Sequence, residues 1–182
     1  IICLVGCKKG SNETTITGEI KGLGTDTLYL YGMDELYDRI DTIYVENDKF
    51  SYTTSVDTIT SAYLLLKNRI EYPVFLDKGN KIKIKGDTIN LNFLTISGNI
   101  YNEEFTDFQK ALEDPADPSE KAGEETVDKR ITVEKANTAE EMAEEFILQH
   151  HSSYVSLYLL DKYFVQKETP DFSKIKKLVE VM

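Results

Sequence analysis

The 182-residue chain has no tryptophan, two histidines and four prolines, and its two cysteines, Cys3 and Cys7, both fall within the first ten residues. That placement excludes a disulfide framework in the folded body, and the spacing of the two cysteines excludes a Cys-x-x-Cys redox pair. His150 and His151 are adjacent, so at a helix end their rings point about 100° apart and do not make the i,i+4 pair of a zinc-binding helix. A Ser-His-Asp site would need one of them to meet a distant serine and carboxylate; the plainer role is a favourable charge or dipole at a helix C-terminus. No apolar run approaches the roughly 20 residues that span a bilayer, so any membrane link is covalent or peripheral. Gly18, Gly22 and Gly24 lack the following helix that would take a phosphate. Basic residues are outnumbered, 21 against 32 acidic, for a net charge of −11. Nucleic acid is therefore not an expected partner, and anionic lipid headgroups are equally poor partners for the body. The acidic run from Glu113 to Asp128 lacks the Asp-x-Asp-x-Asp-Gly spacing of a calcium loop and reads as a solvated connection. No metal or cofactor is expected.

What is present is strand material. Apolar residues make up 41% of the chain, with 11 tyrosines and 8 phenylalanines, enough to build a core at this length. Two-residue alternation is clearest from Arg39 to Tyr52, which reads as a central hairpin. Ile43 and Val45 share one face, Ile40, Thr42 and Tyr44 the other, and Phe50 and Tyr52 resume the pattern after a turn at Glu46-Asn47-Asp48-Lys49. Asn and Asp enter the left-handed region at less cost than other non-glycine residues. Further strands are expected at Thr15–Ile20, Thr27–Tyr31, Ser61–Lys67, Tyr72–Leu76, Lys81–Lys85 and Phe93–Gly98. Pro73 suits an edge or a strand start, and Lys81-Ile82-Lys83-Ile84-Lys85 points two isoleucines inward and three lysines to water. Eight or so short strands at this spacing predict an antiparallel β-sandwich or partly closed barrel over residues 15–98.

After Asn99 the period changes to about 3.6, predicting a helical region over residues 99–182 and so an α+β chain. Its marks are Phe105, Phe108 and Leu112, a capping box at Thr138-Ala139-Glu140-Glu141, a serine cap at Ser152 or Ser153, and a last helix opened by Pro170-Asp171. That helix ends inside its own apolar pattern at Met182, so further residues are expected to follow it.

Residues 1–14 read as a signal remnant and tether. Leu4-Val5-Gly6-Cys7, after a short apolar run and before Lys8-Lys9-Gly10-Ser11-Asn12, resembles the lipobox of bacterial lipoproteins. The resemblance implies cleavage before Cys7, a diacylglyceryl thioether on its sulfur, and leading residues that precede Ile1. The expected location is then the bacterial cell envelope, on the periplasmic side or the cell surface.

The order of Ile16-Thr17-Gly18, Leu28-Tyr29-Leu30, Ile40-Asp41-Thr42, Lys49-Phe50-Ser51-Tyr52, Phe75-Leu76-Asp77-Lys78-Gly79 and Leu94-Thr95-Ile96-Ser97-Gly98 resembles domain of unknown function 4369. The resemblance implies a Bacteroidetes lipoprotein in which this region precedes a thioredoxin-like domain of the peroxiredoxin and thiol-disulfide oxidoreductase group. The tail from Phe146 to Leu160 is similar to the helical lead-in of such proteins. Asp48 stands where members often carry a hairpin glycine, and His151-Ser152 where a proline often separates two helices. No Cys-x-x-Cys domain is present, so the implied redox activity maps onto no residue here. The expected function is a non-catalytic module that positions, dimerises or presents a thioredoxin-like partner. The alternative is a lipoprotein binding a glycan or peptide in the loop of Asp34, Glu35, Tyr37 and Asp38. A line of exposed tyrosines could also form a platform, although tyrosine is itself a good strand residue.

Overall fold

Alternation of apolar and polar residues places one face of each strand in a core, and eight strands obey it: β1 (Glu13–Lys21), β2 (Asp26–Gly32), β3 (Ile40–Val45), β4 (Lys49–Ser55), β5 (Thr60–Leu65), β6 (Glu71–Leu76), β7 (Lys81–Asp87) and β8 (Thr95–Ser97). The computed structural model describes residues 12–32, 35–113 and 138–182. The strands form two four-stranded sheets, ordered β4-β1-β7-β8 and β3-β2-β5-β6. Ile16, Ile20, Ile82, Ile84 and Ile96 line the inner side of the first sheet, and Leu28, Leu30, Ile43, Val45, Ala62, Leu64 and Val74 that of the second, all of them buried.

The β region followed by helices is as expected, the barrel alternative falls away, and one detail is corrected. The sheets do not close into a barrel, and the first is mixed rather than antiparallel, because β1 and β7 run parallel, Thr15 opposite Lys81 through Lys21 opposite Asp87. The chain leaves the first sheet after β1 and again after β4, completes the second, and returns on the free flank of β1 in the same direction. Side-chain alternation encodes facing but carries no strand direction. The central hairpin is also a corner: β3 pairs with β2 and β4 with β1, so its arms belong to different sheets. They share one bridge, Glu46 with Lys49. The turn itself is as expected, with Asn47 at φ 51° and Asp48 at φ 68°.

The first helix, α1 (Ile100–Glu113), supplies a feature that periodicity does not reveal. Strands β6 and β8 are edges, and side chains of α1 complete both. Asn102 Oδ1 accepts from the Phe75 N–H at 3.0 Å, and its Nδ2 donates to the Phe75 carbonyl at 2.8 Å, as a neighbouring strand would. One turn on, Thr106 Oγ1 accepts from the Ile96 N–H and donates to the Ile96 carbonyl, both at 3.0 Å. The Tyr72 hydroxyl donates to the Leu94 carbonyl (2.7 Å) and accepts from its N–H (3.0 Å). Backbone groups that an edge leaves orphaned are thereby satisfied.

Compact units divide inside α1, between Thr106 and Asp107. The second unit holds the end of α1 with α2 (Ala139–Gln149), α3 (Tyr154–Leu160) and α4 (Phe172–Val181). The capping box at Thr138 and Glu141 is present, Ser153 caps α3, and Asp171 caps α4. α3 continues into a π-turn over Asp161–Val165. Phe108 meets Phe146 and Tyr163 edge-on, at 5.6 and 6.4 Å between centroids. Leu157, Phe172 and Val179 are exposed, and Leu178 is the buried residue of α4.

Candidate functional site

The loop expected to hold a ligand folds partly inward. Asp34 and the lipidation candidate Cys7 lie outside the described residues. Glu35 opens a short 3-10 turn, Glu35–Tyr37, and Asp38 is exposed. Tyr37 is buried against Gly32, where only a glycine fits: a β-carbon there would lie 2.2 Å from the Tyr37 carbonyl oxygen. The Tyr37 hydroxyl donates to Asp41 Oδ2 and meets Thr54 Oγ1 at 3.1 Å. Arg39 stacks over the Tyr37 ring at 4.6 Å, pairs with Asp41 at 3.1 Å, and donates to Thr54 Oγ1 and to the Ser55 carbonyl, the latter at 3.0 Å. Burial, then the Asp41 carboxylate, pushes the Tyr37 phenol up to about 12. Tyr52 is raised for the same two reasons in the same order.

Asp41 is thus an acceptor shared by Tyr37, Tyr52 and Arg39 at the seam where β3 and β4 diverge. Sequence reading missed this cluster; Asp41 and Thr54, polar residues amid alternating strands, were its available signal. Gly18 on β1 and Phe50 on β4 meet within the first sheet. They are register partners, and a β-carbon on Gly18 would lie 2.1 Å from the Phe50 ring.

The outer side of the second sheet carries the rings. Register places Tyr31 beside Ile40 and Tyr63, Tyr29 beside Thr42 and Leu65, and Thr27 beside Tyr44. Ile40 and Tyr44 are each 73% exposed, and Tyr29 is exposed as well. Tyr31 and Tyr63 pack at 5.8 Å between centroids, and burial, with Glu71 as hydrogen-bond partner, raises the Tyr31 pKa. Of the seven tyrosines in the β region, Tyr29, Tyr31, Tyr44 and Tyr63 share this face, Tyr37 and Tyr72 are buried, and Tyr52 belongs to β4 of the other sheet. The face borders β3, whose one ladder neighbour is β2. A flat apolar and aromatic surface beside an edge strand suits contact with a protein segment more than catalysis.

Other candidates are weaker. His150 caps α2 and stacks on Phe146 at 4.3 Å, and His151 Nδ1 meets Ser152 Oγ at 3.0 Å, in keeping with a helix-end role. An open depression lies between Glu13, Thr15, Lys78, Asn80 and Lys81. Among the described residues no three His, Cys, Asp or Glu side chains gather as a metal site, and no helix is long and apolar enough to cross a membrane.

A family model described as domain of unknown function (DUF4369) matches residues 14–105. All six of the motifs that mark the resemblance fall inside that range, and the helical tail falls outside it. No curated protein matches the chain.

Proposed function

The chain belongs to the DUF4369 family, and from that premise we propose that it is the non-catalytic N-terminal module of a Bacteroidetes lipoprotein of the thiol-disulfide oxidoreductase kind. Acylated Cys7 anchors it to the cell envelope, on the periplasmic side or the cell surface, and the β region positions or presents a thioredoxin-like domain or partner. The tyrosine face beside β3 is the observation that supports this reading. Its rings offer rigid contact area with hydroxyls left in water, and the edge strand offers backbone partners. The motif residues Asp41 and Tyr52 meanwhile link β3 to β4 across the two sheets, and Gly18 and Phe50 pack against each other within the first.

Photo-crosslinking tests the reading. With benzoylphenylalanine at Tyr44 in cells, crosslinked peptides should come from a thioredoxin-like sequence, in cis or in trans. Crosslinks to a glycan would favour the alternative binding lipoprotein instead. Mass spectrometry of natively expressed protein should find a lipidated Cys7, and Cys7→Ala should move the protein to the soluble fraction.

A further inference from the structure

A net charge of −11 argues against an anionic surface as partner, but it is an average, and the first sheet departs from it. Its outer side carries Lys21 on β1, Lys49 on β4, and Lys81, Lys83 and Lys85 on β7, all exposed. Register surrounds the β7 lysines with hydroxyls: Thr15 lies beside Lys81, Thr17 and Ser97 beside Lys83, and Thr95 with Glu19 beside Lys85. Ser51, Thr53 and Ser55 extend the face across β4. Glu13, Glu19 and Asp87 are its acids, and no aromatic or large apolar side chain belongs to it. We infer that this lysine and hydroxyl face lies flat on the anionic headgroups of the bilayer to which Cys7 is anchored.

Two observations select a bilayer over other polyanions. The first is shape: the lysines occupy three adjacent strands, with successive β7 lysines about 7 Å apart along the strand. That is a two-dimensional array without a groove for a single chain and without rings to stack on sugars. The second is the tether. Cys7 precedes the first residue of β1, Glu13, by six positions, which span at most about 20 Å. Because β1 and β7 are parallel, the start of β1 lies beside Lys81 and the β6–β7 turn, where the Thr15 N–H donates to the Asn80 carbonyl at 3.0 Å. An anchor at Cys7 therefore holds the beginning of the lysine row at the membrane. There each lysine gains from the negative surface potential within a Debye length.

The inference rests on the proposed anchoring at Cys7, so the test supplies the anchor chemically. In the full chain carrying Cys3→Ser, the Cys7 thiol is coupled to a maleimide lipid in vesicles of phosphatidylcholine alone or with about 30% phosphatidylglycerol. Lysines are then acetylated and read by mass spectrometry. Lys81, Lys83 and Lys85 should react at least about fivefold more slowly on the anionic vesicles at about 0.05 M salt, and recover at about 0.5 M. Lys67, an exposed lysine of the same β region that follows β5 of the second sheet, should not change. A Lys81→Gln, Lys83→Gln, Lys85→Gln variant should lose the corresponding protection of Lys49. Equal reactivity on both vesicles would overturn the inference, as would protection of Lys78 and Lys81 alone, which indicates an end-on posture. Equal protection on neutral vesicles by a soluble polyuronate of matched charge would also overturn it, in favour of a polysaccharide partner. Native acylation is tested separately by mass, so failure of either claim leaves the other readable.

Discussion

At the scale of single residues, the seam between β3 and β4 depends on a neutral phenol. Tyr37 ionises at about 12 in the folded chain, above its ordinary 10.0, because burial and Asp41 both disfavour phenolate. Its stabilising contribution is therefore complete below pH 10 and is lost as pH rises from about 10 to about 12, where the unfolded chain releases the proton and the folded chain retains it. A rise of that size corresponds to about 2 to 3 kcal/mol. Urea unfolding from pH 7 to 12 should show Tyr37→Phe less stable at neutral pH and shallower in its decline above pH 10. Tyr31, Tyr52 and Tyr163 are also raised, so a reduced slope rather than a flat one is expected. An unchanged slope would mean the hydroxyl is not held as described. Gly18 makes a steric counterpart. Gly18→Ala drives a methyl into the Phe50 ring and should cost about 1 to 3 kcal/mol, as overpacking does. Adding Phe50→Leu should recover part of that loss if the clash is its cause.

At the scale of elements, α1 does for two strands what further strands would otherwise do. Asn102→Ala removes the side-chain acceptor of the buried Phe75 N–H and one of the two side-chain donors to its carbonyl, the other being Asn99 Nδ2 at 2.9 Å, so a loss of about 1 to 3 kcal/mol is expected by thermal or urea unfolding. Thr106→Val keeps the shape and removes the Ile96 pair, for about 1 to 3 kcal/mol. Each variant should also aggregate more readily, since it reopens an edge. Strand identity, inward and outward faces, the Asn47-Asp48 turn and the Thr138 capping box were legible in the sequence because each depends on neighbours within about four positions. The parallel pairing of β7, the division of the β3–β4 hairpin between sheets and the strand-like role of Asn102 were not. They depend on which distant segments meet, and alternation is indifferent to direction and partner. The same limit governed the candidate sites. A tyrosine count did not separate the four rings that share an outer face from Tyr37 and Tyr72, which are buried, until register assigned them to strands.

At the scale of the whole molecule, the β region presents two outer sheet faces of different chemistry, one of tyrosines with Ile40 and one of lysines and hydroxyls. Neither chemistry includes a thiol, which determines what the chain does when assayed alone. Disulfide exchange needs a thiolate to attack sulfur and a second thiol to resolve the mixed disulfide. The sequence holds only Cys3 and Cys7. In the proposed lipoprotein, cleavage before Cys7 removes the first and acylation converts the second to a thioether, so neither is a nucleophile. In the unprocessed chain, Lys8 and Lys9 lower a thiol pKa only modestly, and Cys3 and Cys7 lack the Cys-x-x-Cys spacing of a redox pair. Insulin reduction by dithiothreitol in the presence of this chain should therefore follow the blank. The same chain joined to a thioredoxin-like domain should accelerate it, and Tyr44→Asp with Ile40→Asp should disturb how that domain is presented without unfolding the β region. Turnover by the isolated chain that persists in Cys3→Ser, Cys7→Ser would place catalysis on other residues and end the reading of a non-catalytic module.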